Sequence, residues 1–350
     1  MEYARLVAAG DVAGAAALLR AEHAAHPRRS LAAVLVATAL PAQRTAAALV
    51  AQGAWTPEDQ HAADAASERA VRAASVDVPR PAGRAVLVSC VEREWHSVPA
   101  LAAGVALREA DTPVEHVGGH PTAALLLRRV RDADPRAVLL CVGHPGSLAR
   151  AQAEVAAVTA LGVPVVLGGR ALDREGRRAR LVGATVAVTD PRHLPRLVDG
   201  VPDVVDPVDP SATPGGAAAV RLRDDVERVV TDVLLAAGLG FATPAPGARP
   251  GVPVPRATAR PGAAPTHRPG GQRAAAWPVV AATGLRQLVD AVASALVVEE
   301  PALVADEEAA LVRALARASA PVDAAPALSA LLRDRLATDH TRAADLLGAG

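Results

Sequence analysis

Between residues 84 and 198, short apolar runs alternate with helical stretches, and this alternation narrows the possible folds more than any other feature of the chain. The runs 84–91 (RAVLVSCV), 137–142 (AVLLCV), 163–167 (VPVVL) and 182–188 (VGATVAV) have strand length and carry β-branched residues. A weaker run lies at 113–117 (PVEHV). Helical periodicity fills the gaps at 98–110, 122–132, 148–161 and 191–198. Strands that are apolar all along must be covered on both faces, and strand–helix–strand units join parallel neighbours by right-handed crossovers. The expected fold class is α/β, with a doubly wound parallel sheet over residues 83–202.

The flanks read differently. Residues 1–78 are helical throughout and suggest a small bundle set before the sheet as a cap domain. Within it, Thr56-Pro57-Glu58-Asp59 marks a helix start: an N-cap residue, a proline at the first position and acids in the first turn. Residues 203–276 hold one more amphipathic helix, at 217–237, followed by a Pro/Gly/Ala/Arg-rich stretch at 241–276 that reads as a linker. Helical periodicity returns over 277–350 as a small C-terminal helical module. Aromatic residues are 1% of the chain, so every core must be built from Ala, Val and Leu.

Charge excludes some functions. The 37 basic residues, all arginine, are balanced by 37 acidic ones, and no basic stripe appears, which disfavours direct DNA binding. Cys90 and Cys141 lie in apolar runs and read as small core residues rather than a disulfide framework. No secretory leader and no membrane span are expected, which makes the cytoplasm the expected compartment.

A doubly wound sheet binds ligands beyond the carboxyl ends of its strands. The segments placed there are Glu92-Arg93-Glu94-Trp95-His96-Ser97-Val98-Pro99, then Cys141-Val142-Gly143-His144, then Gly168-Gly169-Arg170. None of them carries a glycine fingerprint for dinucleotides or a Walker-type phosphate loop. His116 and His120 flank Gly118-Gly119, but no carboxylate or thiol completes a metal set there. No Ser-His-Asp constellation is present, and Ser147 lacks a nucleophile elbow.

The order and spacing of these loops resemble the cobalamin-binding domain of methionine synthase, corrinoid methyl carriers, cobalamin mutases and light-sensing cobalamin regulators. The pattern in that family is Asp-x-His-x-x-Gly, then Ser-x-Leu, then Gly-Gly. Here Glu94-Trp95-His96-Ser97-Val98-Pro99 takes the first place, Cys141-Val142-Gly143 the second and Gly168-Gly169 the third. Cys141 stands at the family's serine and Pro99 at its glycine. The resemblance implies a flavodoxin-like sheet, with His96 as the cobalt ligand and Glu94 on its other ring nitrogen. It also implies that the displaced base of the cofactor lies in a slot with room made by Gly143, Gly168 and Gly169, beside Trp95, Ser97 and Cys141. The N-terminal helices resemble the cap of methyl carriers and light-sensing regulators. In that alignment Gln60-His61 takes the place of Glu-His, and Val50 that of a tryptophan, which makes Val50 and His61 candidates for cofactor contact from above.

From the resemblance, the chain is expected to be a cobalamin-binding sensor or regulatory protein without catalysis of its own. Its partners would be the corrinoid and a protein that reads the bound state, with homo-oligomerisation left open. Two alternatives stand beside it: a corrinoid methyl carrier for a separate methyltransferase, and an interaction module that binds no corrinoid.

Overall fold

The structure, a computed structural model, describes residues 2–118, 121–188, 191–239 and 277–347. The stretch 241–276 and His120 lie outside the described residues. Four helices come first: α1 (Glu2–Ala8), α2 (Val12–Ala25), α3 (Leu31–Ala51) and α4 (Pro57–Ala74). Their starts are set by local chemistry. Asp11 accepts from the Gly14 N–H, and Ser30 from the Ala33 N–H. Thr56 and Asp59 form a reciprocal capping box ahead of Pro57, at the start foreseen from sequence.

The α/β domain follows as β1 (Val86–Cys90), α5 (Val98–Glu109), β2 (Val114–Gly118), α6 (Ala123–Ala133), β3 (Ala137–Cys141), α7 (Leu148–Thr159), β4 (Val165–Gly168), α8 (Arg177–Val182), β5 (Val186–Val188) and α9 (Leu194–Asp199). All five strands are parallel, in the order β2-β1-β3-β4-β5. This is a flavodoxin-like order, and its switch point lies between β1 and β3. Successive side chains along a strand serve opposite faces. Val86, Val88 and Cys90 of β1, with Ala137, Leu139 and Cys141 of β3, pack toward α5 and α9. Leu87, Val138, Leu140, Val165 and Leu167 pack on the other face.

That other face carries the rest of the chain. Helices α10 (Pro214–Ala236), α11 (Trp277–Val298), α12 (Ala302–Arg317), α13 (Ala324–Asp339) and α14 (Thr341–Leu347) share one continuous core with α7, α8 and the sheet. Arg150 of α7 pairs with Asp290 of α11, while Arg178 of α8 reaches Glu300, just past α11, at 2.5 Å. By length and composition α3 and α11 could each cross a membrane. The apolar stretch of α11 is 67% buried within the protein, as befits a central core helix, against 28% for α3.

The cap is joined to the sheet domain through α5. Val98, Leu101 and Val105 of α5 lie in the same core as Leu19, Leu35 and Val71 of the cap. The Glu109 carboxylate at the end of α5 accepts from the Leu31 and Ala32 N–H groups, at 2.6 and 3.1 Å. A carboxylate on the open N–H groups of a helix start favours both partners. The entry to α3 is thereby fixed on the α/β domain.

Glu154 of α7 is buried, and one of its oxygens accepts from the Glu92 N–H at 2.7 Å, holding the loop after β1. Its second oxygen has no partner. Burial, reinforced by the nearby Glu92, pushes its carboxyl from the ordinary 4.5 up to about 8. The unfolded chain releases this proton at lower pH than the folded one. Stability from this group is therefore complete below about pH 4.5 and is lost as pH rises toward 8. Glu154→Gln, which keeps the acceptor and cannot ionise, is expected to raise the melting temperature at pH 8 by about 3 °C or more, with little change at pH 4.5. Thermal melts at both values check this; a difference that does not widen with pH would contradict it.

Candidate functional site

The loop after β1 turns sharply. The Glu94 N–H donates to the Val91 carbonyl at 2.9 Å, with Arg93 in the left-handed region at φ +64°. The turn carries the Glu94 side chain back under the loop, where it is 5% exposed. Its Oε1 takes the His96 Nδ1–H at 2.6 Å and the His96 backbone N–H at 3.2 Å. Its Oε2 takes the Gly143 N–H, across the switch point, at 2.9 Å. A side chain on Gly143 would strike this carboxylate, with its Cβ 2.7 Å from Oε2. Burial works against the charged form of Glu94, but these hydrogen bonds outweigh it and hold the carboxyl below its usual range. The same bond holds the His96 imidazole above its usual pKa against burial, with Asp64 adding to the effect and Arg170 opposing it.

With Nδ1 committed to Glu94, the other ring nitrogen of His96 faces the cap. Its Nε2 lies 3.1 Å from the Gln60 side-chain nitrogen and 3.5 Å from Asp64 Oδ2. Asp64 is buried; Oδ1 accepts from Gln43, and Oδ2 has no hydrogen-bond partner. A buried acceptor left so costs about 1–3 kcal/mol. Burial raises the Asp64 pKa, partly offset by His96 and Gln43. The two residues beside His96 are also held by α4. Trp95 stacks on His61 with ring centroids 5.3 Å apart, and the Ser97 hydroxyl donates to Glu68 at 2.6 Å. Residues 60, 61, 64 and 68 recur at helical spacing on one stripe of α4. That stripe meets three consecutive residues of the loop.

A cavity of about 490 Å3 opens at the carboxyl ends of the strands, between the cap and the sheet. Val36, Leu40, Gln43, Arg44 and Ala47 of α3 form its upper wall. Glu94, His96, Cys141, Gly143, Gly168 and Gly169 all line it. Its inner end is apolar, bounded by Ala102 and Ala103 of α5, Leu139 of β3, Val188 of β5 and Leu194 of α9. Cys141 and Gly168 are register partners on β3 and β4. Burial pushes the Cys141 thiol up to about 12, so it is neutral. A Cβ on Gly169, which has φ +125°, would overlap the Val142 carbonyl oxygen, so glycine is required there. Gly168 is different: a Cβ there would stand in ordinary contact, 3.5 Å from Val188, and would narrow the inner end.

The structure thus gathers Glu94, His96, Cys141, Gly143, Gly168 and Gly169 about one cavity. Trp95, Ser97 and His61 lie beside it, in the seam between the cap and the loop. Val50 is half-buried on α3 and does not line the cavity. The sequence reading had not singled out Asp64, Gln43 or Arg44. Asp64 and Glu68 follow Gln60 at four-residue steps, and that helical register was the available signal. Among the described residues, no group of three or more His, Cys, Asp or Glu side chains could hold a bare metal ion. No family model matches the chain, and no curated protein matches it.

Glu94→Gln removes the charge that raises His96. It is expected to lower the His96 pKa toward the ordinary value, as read by NMR titration of its ring protons. An unchanged titration would show that Asp64, rather than Glu94, sets the charge state of the ring.

Proposed function

We propose that this chain is a cobalamin-binding regulatory protein, which takes the cofactor with its lower base displaced and His96 as the protein ligand to cobalt. One observation carries the reading: an imidazole whose inner nitrogen is held by a buried carboxylate stands at the mouth of a cavity whose inner end is apolar and glycine-widened. A corrin ring brings four nitrogens of its own to the metal, so a single imidazole completes the lower side, and no cluster of protein ligands is needed. A carboxylate on the far nitrogen of an imidazole orients the ring and strengthens it as a metal ligand in this way. The bound group would supply a cobalt centre with an upper coordination position.

The residues present fit that group. Gly168 leaves room in the inner end that packing alone does not demand, and Leu139, Val188 and Leu194 give it apolar walls. His96 Nε2 would have to leave Gln60 and Asp64 to serve as a ligand. A ligand at His96 therefore bears directly on α4. The other side of the cavity is tied to the C-terminal helices. Ser294 of α11 accepts from the Ala149 N–H and donates to the Gly146 carbonyl. His144, which lines the cavity, sits 3.5 Å from Glu307 of α12. These ties to the cap and to the C-terminal helices support a regulatory role, in which occupancy shifts the balance between two packings of cap on sheet.

A second reading is an interaction module that binds no corrinoid, favoured by the engagement of His96 Nε2 with Gln60 of the cap. One experiment separates the two. The purified chain is mixed with hydroxocobalamin, freed of excess by gel filtration, and its visible spectrum recorded. The first reading expects a retained corrinoid near one equivalent with a His-ligated spectrum. His96→Ala is expected to abolish that spectral form and weaken retention about tenfold or more. No retained corrinoid in the wild type would leave the second reading standing.

A further inference from the structure

A second cavity, of about 180 Å3, lies within the cap, between α1, α3 and α4. Small side chains make the room: Ala4 and Ala8 of α1, Ala42 and Ala46 of α3, and Ala63 of α4. Leu49 and Trp55 add larger apolar walls. Most polar groups in its wall are hydrogen-bonded within the protein. The Ser67 hydroxyl bonds with that of Tyr3 at 2.9 Å, the Thr45 hydroxyl donates to the Pro41 carbonyl at 3.1 Å, and Arg5, at the exposed edge, pairs with Glu2 at 2.6 Å. Asp64 differs. It is the one carboxylate in the wall, and it is 7% exposed. Gln43 donates to its Oδ1 at 3.2 Å, while its Oδ2 has no hydrogen-bond partner. His96 approaches Oδ2 from the α/β domain but stops at 3.5 Å. A carboxylate can accept in about four directions, so Asp64 keeps most of its capacity unused.

We infer that this cavity binds a small organic ammonium ion: a primary amine on an apolar body about the size of one ring, with its ammonium on the Asp64 carboxylate. The volume sets the body, since an apolar cavity of about 150 Å3 is enough to hold benzene. Alanine and leucine walls offer apolar contact alone, and Trp55 adds a ring against which a flat guest can pack. The carboxylate sets the head group. A buried charge without a donor is costly, and a charge-assisted N–H bond meets that cost better than a neutral donor does. The inference stands apart from the corrinoid reading, because every residue lining this cavity belongs to the cap. Asp64 nevertheless joins the two places: a guest ammonium and the His96 imidazole address the same carboxylate from opposite sides.

Benzylamine, which is protonated at neutral pH, is titrated by calorimetry into the wild type, Asp64→Asn and Ala46→Leu, with benzyl alcohol as the uncharged guest of the same shape. The wild type is expected to bind benzylamine with a Kd of about 1 mM or below, and benzyl alcohol about tenfold more weakly. Asp64→Asn should reduce that preference below about twofold. Ala46→Leu, which fills the cavity from α3 and leaves the carboxylate in place, should weaken both guests about tenfold or more. The ring-proton resonances of His96 should shift as benzylamine is added to the wild type, because its Nε2 lies 3.5 Å from the oxygen that the guest engages. No binding of benzylamine, equal binding of the two guests, or a preference that Asp64→Asn leaves intact would overturn the inference. So would undiminished binding in Ala46→Leu, or His96 resonances that stay fixed. Should either variant fail to fold, the two guests and the His96 resonances in the wild type decide alone.

Discussion

A parallel sheet whose strands are apolar on both sides cannot face water, and the rest of this protein is arranged around that constraint. Helices α5 and α9 cover one face and bring the N-terminal cap with them through the shared core at Val98, Leu101 and Val105. The other face is closed by α7 and α8, and behind them by α10 to α14 in one continuous core. With both faces closed, the carboxyl ends of β1, β3, β4 and β5 are where a ligand can enter. The cap turns that end into a cavity by laying α3 across it.

Within the cavity, Glu94 sets the geometry. It is the one side chain that bonds to both loops at the switch point, through His96 on one side and the Gly143 N–H on the other. Burial works against its charged form, and the three N–H groups aimed at it favour that form and hold its carboxyl below the usual range. A charged Glu94 fixes which ring nitrogen of His96 is left to face outward. Gly143 is the necessary counterpart, because any side chain there would strike the carboxylate. The spacing of Glu94, His96 and Gly143 in the sequence is thus the trace of one small hydrogen-bonded unit.

Much of this was legible in the sequence. Strand length and alternation place β1, β3 and β4 within a few residues of their observed bounds, because double burial leaves a run of Val, Leu and Ala; the half-buried β2 left a weaker run, and the expected strand 182–188 shortens to Val186–Val188 because Val182 ends α8. The start of α4 was equally clear, since Thr56, Pro57 and Asp59 act on their own backbone. The loop residues could be assigned to one end of the sheet by topology alone. Positions that depend on how separate helices meet were not legible. Asp64 reads as one more polar residue on an Ala-rich helix until α4 is seen to run against residues 95–97. Arg44 lies on α3, and only the cap's placement shows that one side of this helix lines a cavity. Val50 shows the reverse. Alignment by spacing offers it for contact with a cofactor, but Val50 is not among the residues that line the cavity.

The seam between α4 and the loop also explains why the cap should respond to what happens at His96. Trp95, His96 and Ser97 meet α4 at different residues: His61, the pair Gln60 and Asp64, and Glu68. The outer two contacts, His61 on Trp95 and Glu68 on Ser97, do not involve the imidazole nitrogens. They can hold the loop against the cap while the middle contact changes. The middle contact sets Gln60 at 3.1 Å from His96 Nε2, with a carboxylate oxygen of Asp64 3.5 Å away and without a hydrogen bond. A seam built this way keeps its register when His96 changes partner, yet shifts the balance of charge beside a buried carboxylate. Packed interfaces respond to such changes by moving between discrete arrangements rather than by deforming gradually. On the proposed function, the orphaned oxygen of Asp64, 3.5 Å from His96 Nε2, is where a ligand on His96 would bear on the cap.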